Sequence, residues 1–140
     1  MDVFFSGSIR GGRSDADLYA ALIDHIDEYG TVLTEHVGEE NVEANEQEAG
    51  LSDEDIYEQD LAWLRQADLL VAEVTTPSLG VGYEIGRAVA WGMPVCCLYR
   101  PDAEHDLSAM IRGNDDVQVI EYGTVAEAEQ ALDSFLCDHT

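Results

Sequence analysis

The sequence predicts an α/β fold: a five-stranded parallel sheet in a flavodoxin-like, Rossmann-like three-layer sandwich, with strand order 2-1-3-4-5. Three observations point there. Short apolar runs of β character alternate with segments of helical period along the chain. Asp68–Val74 (DLLVAEV) and Pro94–Tyr99 (PVCCLY) are apolar on both faces, as central parallel strands are. Glycine-rich turns follow the first and third runs, where such a sheet opens its ligand crevice.

Asp2–Ser6 is the first strand. Ser14–Tyr29 reads as a helix, with Ser14 as N-cap, an apolar face of Leu18, Leu22, Ile23 and Ile26, and Gly30 as its stop. Thr31–Thr34 is the second strand, and the acidic, aperiodic Val37–Gly50 an exposed loop. Ser52, with Asp55 three residues on, opens a capped helix through Gln66. After the third strand, Pro77 and Gly80 break the chain before a helix to about Trp91. Pro94–Tyr99 and Val117–Glu121 are the fourth and fifth strands, and Thr124–Cys137 the closing helix. The 140 residues suit one domain, with no internal repeat or linker.

Six arginines and no lysine stand against thirty acidic residues, so the net charge is −24. Such a surface repels nucleic-acid phosphates and anionic membranes, which excludes both as expected partners. It suits very high salt, where counterions screen the self-repulsion, so a halophilic setting is the expectation. No apolar run approaches the roughly 20 residues of a membrane span, and no basic leader precedes the first strand. Cys96, Cys97 and Cys137 lack metal-ligand spacing and read as reduced core thiols, consistent with a cytoplasmic protein.

Ser6–Gly12 (SGSIRGG) gathers three glycines, two hydroxyls and a guanidinium between a strand and a helix. Glycines admit close ligand approach, backbone N–H groups at a helix start bind anions, and Arg10 forks onto phosphate oxygens. The loop is neither a Walker A motif nor GxGxxG. Ser78, after the third strand, is a second anion ligand. Glu84, placed in the first turn of the following helix, has its ionised form favoured there by the macrodipole, as a nucleophile requires. Asp60 falls on the apolar stripe of its helix, four residues from both Ile56 and Leu64, and an inward carboxylate needs a partner or a task. Two such carboxylates suit glycosidic chemistry, one attacking the anomeric carbon and one assisting the leaving group. Of the four histidines, which show no metal spacing, His36 stands at the end of the second strand near this site.

Ser6–Arg13 (SGSIRGGR), Gly30–Val37 (GTVLTEHV), Glu58–Ala90 and Leu107–Gly113 (LSAMIRG) together resemble the 2′-deoxynucleoside 5′-phosphate N-hydrolases, which belong with the nucleoside 2-deoxyribosyltransferases. The resemblance spans nearly the whole chain, looser at Gly38–Ile56 and in the last helix. It implies hydrolysis of a deoxynucleoside monophosphate to free base and 2-deoxyribose 5-phosphate, with no cofactor and no metal. Glu84 becomes the nucleophile of a deoxyribosyl-enzyme intermediate, and Asp60 the assistant to the leaving base. The 5′-phosphate falls to Ser8, Ile9, Arg10 and Ser78, with Ile9 also packing against the 2-deoxy position. The implied substrate-binding set further takes in Phe5, Ser6, Gly7, Gly11, Tyr19 and His36. The family forms homodimers, so Ser108, Ala109 and Met110 serve the neighbouring subunit's site.

One departure stands out. The family commonly has a tyrosine two positions before the Ser-Gly-Ser, where this chain has Phe4. A hydroxyl to orient Glu84 then has to come from elsewhere, with Tyr19, Tyr57 and Tyr83 as candidates, or the step is slower. A deoxyribosyltransferase and a non-catalytic nucleotide sensor are the alternatives on the same fold. A receiver domain is excluded, since it needs a lysine.

Overall fold

Strand β3 (Leu69–Glu73) is buried along its whole length, and the sheet extends from it on both sides. The computed structural model describes residues 1–8, 15–38, 46 and 49–140. On one side β1 (Asp2–Ser6) pairs with β3 and then with β2 (Thr31–Val32). On the other, β4 (Val95–Tyr99) pairs with β3 and then with β5 (Val117–Glu121). Every pairing is parallel and the order is β2-β1-β3-β4-β5, as the alternation of runs predicts.

Successive side chains on a strand point to opposite faces, and here the two faces carry separate cores. Phe5, Val71, Cys96 and Leu98 pack under α1 (Ala16–Asp27) and α5 (Val125–Asp138). Phe4, Leu70, Ala72 and Cys97 pack under α2 (Asp53–Gln66) and α3 (Leu79–Ala90). The adjacent Cys96 and Cys97 therefore belong to different cores, and burial pushes both thiols up, that of Cys97 to about 12.

The caps explain where the helices begin. Ser52 and Asp55 form the expected reciprocal capping box of α2. Ser78 accepts the Val81 N–H at 3.3 Å to open α3, and Thr124 accepts the Glu127 N–H at 3.2 Å to open α5. Helix α1 starts without a side-chain cap at Asp15, whose carboxylate is engaged by Arg100; the predicted cap, Ser14, lies outside the described residues.

Three expectations change. The second strand stops at Val32 because the Thr34 side chain takes over the pairing: its hydroxyl accepts the Phe5 N–H at 2.9 Å and donates to the Phe5 carbonyl at 2.6 Å. The chain then turns into a 3-10 segment, Glu35–Gly38, in which Val37 is buried rather than exposed. A short helix α4 (Ala109–Arg112), capped by Ser108, stands between β4 and β5, too short to show a helical period in the sequence.

Gly38 is required by a close approach, since a Cβ there would lie 2.9 Å from the Ala20 Cα of helix α1. Gly38→Ala is therefore expected to lower stability by about 1–3 kcal/mol. That outweighs the gain of about 0.4–1 kcal/mol from a stiffer unfolded chain. Urea denaturation of the two proteins measures the difference.

Candidate active site

A cavity of about 590 Å³ opens beyond the carboxyl ends of β1 and β3. Gly7 supplies its floor after β1, and Pro77–Val81 with Glu84 form the wall from the start of α3. Helix α2 contributes Ile56, Gln59, Asp60 and Trp63, and His36 and Glu46 complete the lining. The spacing of Ile56, Asp60 and Trp63 puts all three on one helix face. The His36 and Trp63 rings lie 5.3 Å apart and tilted, the geometry of a paired aromatic wall.

The centre of the site follows from strand parity. Ser6 shares the face of Phe4, so its side chain points toward α3 rather than α1. Its hydroxyl donates to Glu84 Oε1 at 2.6 Å. Asp60 brings a second carboxyl into the same cavity lining as Glu84. Glu84 sits in the second turn of α3, not the first, beyond the strongest pull of the helix start. Burial, then the hydrogen bond and negative charge of Asp60, hold its pKa well above the ordinary carboxylate value, and the Ser6 hydroxyl only partly opposes them. The expected macrodipole effect is thus overridden by desolvation and a like charge.

The departure at Phe4 finds its answer here. Phe4 is buried in the core beside Leu64 and Ile85, and the hydroxyl on Glu84 comes from Ser6. Tyr57 and Tyr83 instead meet each other at 3.2 Å and both accept from Arg87 on the outer surface of α2 and α3. Tyr19 lies beneath the loop, where its hydroxyl accepts the Ser8 N–H at 3.2 Å.

The family model for nucleoside 2-deoxyribosyltransferase matches residues 3–133. The chain belongs to this family. A 5-hydroxymethyl-dUMP N-hydrolase of Mus musculus is 55% identical over 127 residues, covering 91% of this chain and 73% of that protein. A putative 2′-deoxynucleoside 5′-phosphate N-hydrolase 1 of Trichoplax adhaerens is 57% identical over 111 residues, 79% of this chain and 74% of its own. Among solved structures, the Clostridium botulinum CMP N-glycosidase BcmB superposes with a TM-score of 0.67 at 22% identity, over 96% of this chain and 99% of that one, a likeness of fold.

The nucleoside 2-deoxyribosyltransferase frame sorts the remaining residues by position. Glu84, Asp60, Ser78, Gly7 and His36 converge on the cavity, and Ser6 reaches it through Glu84. Phe5, Ser8 and Tyr19 are wholly buried behind it. A Cβ on Gly7 would fall 2.9 Å from the Tyr19 ring, so Tyr19 and Gly7 shape the loop against each other. Ile9, Arg10 and Gly11 lie outside the described residues. Ser108, Ala109 and Met110 stand exposed on and before α4, away from the described cavity lining. Sequence reasoning missed Gln59, the neighbour of Asp60, and Trp63, one helical turn beyond it, and it missed the role of Ser6, whose partner is 78 residues away. Among the described residues no group of His, Cys, Asp and Glu is placed to hold a metal ion.

The raised pKa of Glu84 has a thermodynamic sign. Between the ordinary carboxylate pKa and its elevated folded value, the native state binds more protons than the unfolded one, so stability falls as pH rises through that window. Glu84→Gln, which keeps an acceptor for Ser6, is expected to raise Tm at neutral pH and to lose that advantage below about pH 4. Asp60→Asn is expected to move the Glu84 titration, followed by carboxyl-carbon NMR, to lower pH.

Proposed function

We propose that the chain is a glycosidase that hydrolyses the N-glycosidic bond of 2′-deoxynucleoside 5′-monophosphates to free base and 2-deoxyribose 5-phosphate. The observation that carries this reading is the Glu84–Asp60 carboxyl pair, oriented by Ser6 in a cavity whose wall is the Ser78-capped end of α3. Glu84, aimed by the Ser6 hydroxyl, and Asp60 line one cavity, which suits a nucleophilic route in which the two carboxyls divide the work. With the proton of the pair on Asp60, the Glu84 carboxylate attacks the anomeric carbon, the carbon–nitrogen bond breaks, and its electron pair leaves on the base nitrogen, which takes the proton from Asp60. Water then attacks the same carbon, Asp60 takes its proton, and the Glu84 carboxylate is released. Ser78 and the N-terminus of α3 receive the 5′-phosphate together with Arg10 and the loop around it.

The names of the two N-hydrolase relatives support a phosphorylated deoxynucleoside as substrate and water as acceptor. Transfer to a second base is the other reading, favoured by the family model itself. The protein is expected to release base from a deoxynucleoside monophosphate such as dGMP at high salt, far faster than from deoxyguanosine. Glu84→Gln is expected to abolish release while nucleotide binding stays measurable. No release at any salt concentration overturns the assignment, and label passing from an added free base into nucleoside reassigns the chain as a transferase.

The same reading includes a cytoplasmic homodimer. Free thiols suit a reducing compartment: Cys96 and Cys97 are buried, while Cys137, on the outer side of α5, is exposed rather than in the core. Leu79 is 95% exposed and Met110 82% exposed, an unusual display of large apolar side chains on so acidic a protein. Met110→Asp is expected to shift the protein toward monomer in analytical ultracentrifugation and to reduce activity with it.

A further inference from the structure

The opposite face of the sheet carries a second polar centre. Glu73, the last residue of β3, is entirely buried. It accepts from the Thr75 N–H at 2.8 Å, from the Thr75 hydroxyl at 2.9 Å and from the Tyr122 hydroxyl just past β5. Arg100, just past β4, adds its Nε at 3.4 Å and gives its backbone N–H to Thr75 Oγ1 at 3.0 Å. The guanidinium goes on to Asp15 through Nη2 at 2.6 Å, and the Thr76 hydroxyl reaches the same Asp15 oxygen at 3.3 Å. Burial and the Glu73 charge push the Tyr122 phenol up, so it stays a donor. An apolar cluster of equal volume often serves stability as well as a buried ion pair does, which turns attention to what this pair holds in place.

Its contacts converge on two segments. Thr75 and Thr76 begin the turn that leads through Pro77 to Ser78, and Asp15 stands two residues beyond the glycine-rich Ser6–Arg13 segment in sequence and opens α1. Those are the two segments to which the proposed function assigns the 5′-phosphate. We propose that Arg100 is a positioning residue for phosphate recognition: by pairing Asp15 while bound to Glu73 and Thr75, it fixes the start of α1 against the turn that carries Ser78. This inference rests on the proposed phosphate subsite, and it makes Arg100 matter to the phosphate rather than to the carboxyl pair on the other face of the sheet.

The test is binding of 2-deoxyribose 5-phosphate, measured by calorimetry, to wild type, Arg100→Gln, Asp15→Asn and Tyr122→Phe, alongside steady-state kinetics on a deoxynucleoside monophosphate. Displacement of a positioned group can cost up to about a hundredfold, so Kd and KM are expected to rise about tenfold or more in Arg100→Gln with kcat within about twofold. Asp15→Asn is expected to weaken binding in the same direction, and the double variant no further than the worse single one. Tyr122→Phe, which leaves the ion pair intact, is expected to weaken it least. Asp15→Asn and Tyr122→Phe carry the test if Arg100→Gln does not fold. Unchanged Kd in folded Arg100→Gln or Asp15→Asn overturns the inference, as does a fall in kcat at constant KM. Sugar phosphate binding that depends on Arg100, in a protein that releases no base, upholds the positioning role and sinks the hydrolase reading alone.

Discussion

A carboxylate held out of water beside another carboxyl group is the constraint on which this structure turns. Glu84 is penalised for being charged, first by burial and then by Asp60, and the Ser6 hydroxyl offsets only part of that penalty. Such an arrangement is costly for folding and persists only where the surrounding scaffold is rigid. The scaffold here is the fully buried β3–β4 pair, with β1 registered against it so that Ser6 stands opposite Ala72. A small residue at Ala72 keeps that face uncrowded beneath the carboxyl pair.

The sheet separates two tasks by parity. Side chains of Phe4, Ser6, Leu70 and Ala72 look toward α2 and α3, where the carboxyl chemistry lies. Side chains of Phe5, Val71 and Glu73 look toward α1 and α5, where the core is closed by Tyr19, Leu22 and Phe135. The polar residues of both faces cluster at the carboxyl ends of the strands, where backbone groups leave the ladder and need new partners. One end of one sheet thereby hosts a carboxyl pair and a separate ion-pair network without mixing their charges.

Much of this was legible in one dimension, for identifiable reasons. The central strands declare themselves because burial on both faces demands unbroken apolar runs, and the capping box of α2 is a local contract between Ser52 and Asp55. Asp60 was visible as a carboxylate on an apolar stripe. What escaped were pairings across the fold. Thr34 ends β2 through a hydroxyl bonded to Phe5, and propensity says nothing about that. Ser6 reads as one more loop hydroxyl until the register of β1 aims it at Glu84. Tyr19 lies with its ring against Gly7 and its hydroxyl on the Ser8 N–H, contacts that no local pattern announces. Glu73, an acidic residue near the end of the third strand's apolar run, was a signal in plain view that only its partners explain.

With Phe4 in place of the family's phenol, the hydroxyl on Glu84 is that of Ser6, and this has a consequence on the alkaline side. A tyrosine donor ionises near pH 10 and then turns from donor to repelling anion, whereas a serine hydroxyl does not titrate in water's working range. Ser6 also has a single short side-chain torsion on a buried strand, so its aim is set by the backbone rather than by the packing of a large ring. Orientation of Glu84 in this chain is therefore a property of the strand itself, insensitive to base, and the chemistry inherits the rigidity of β1.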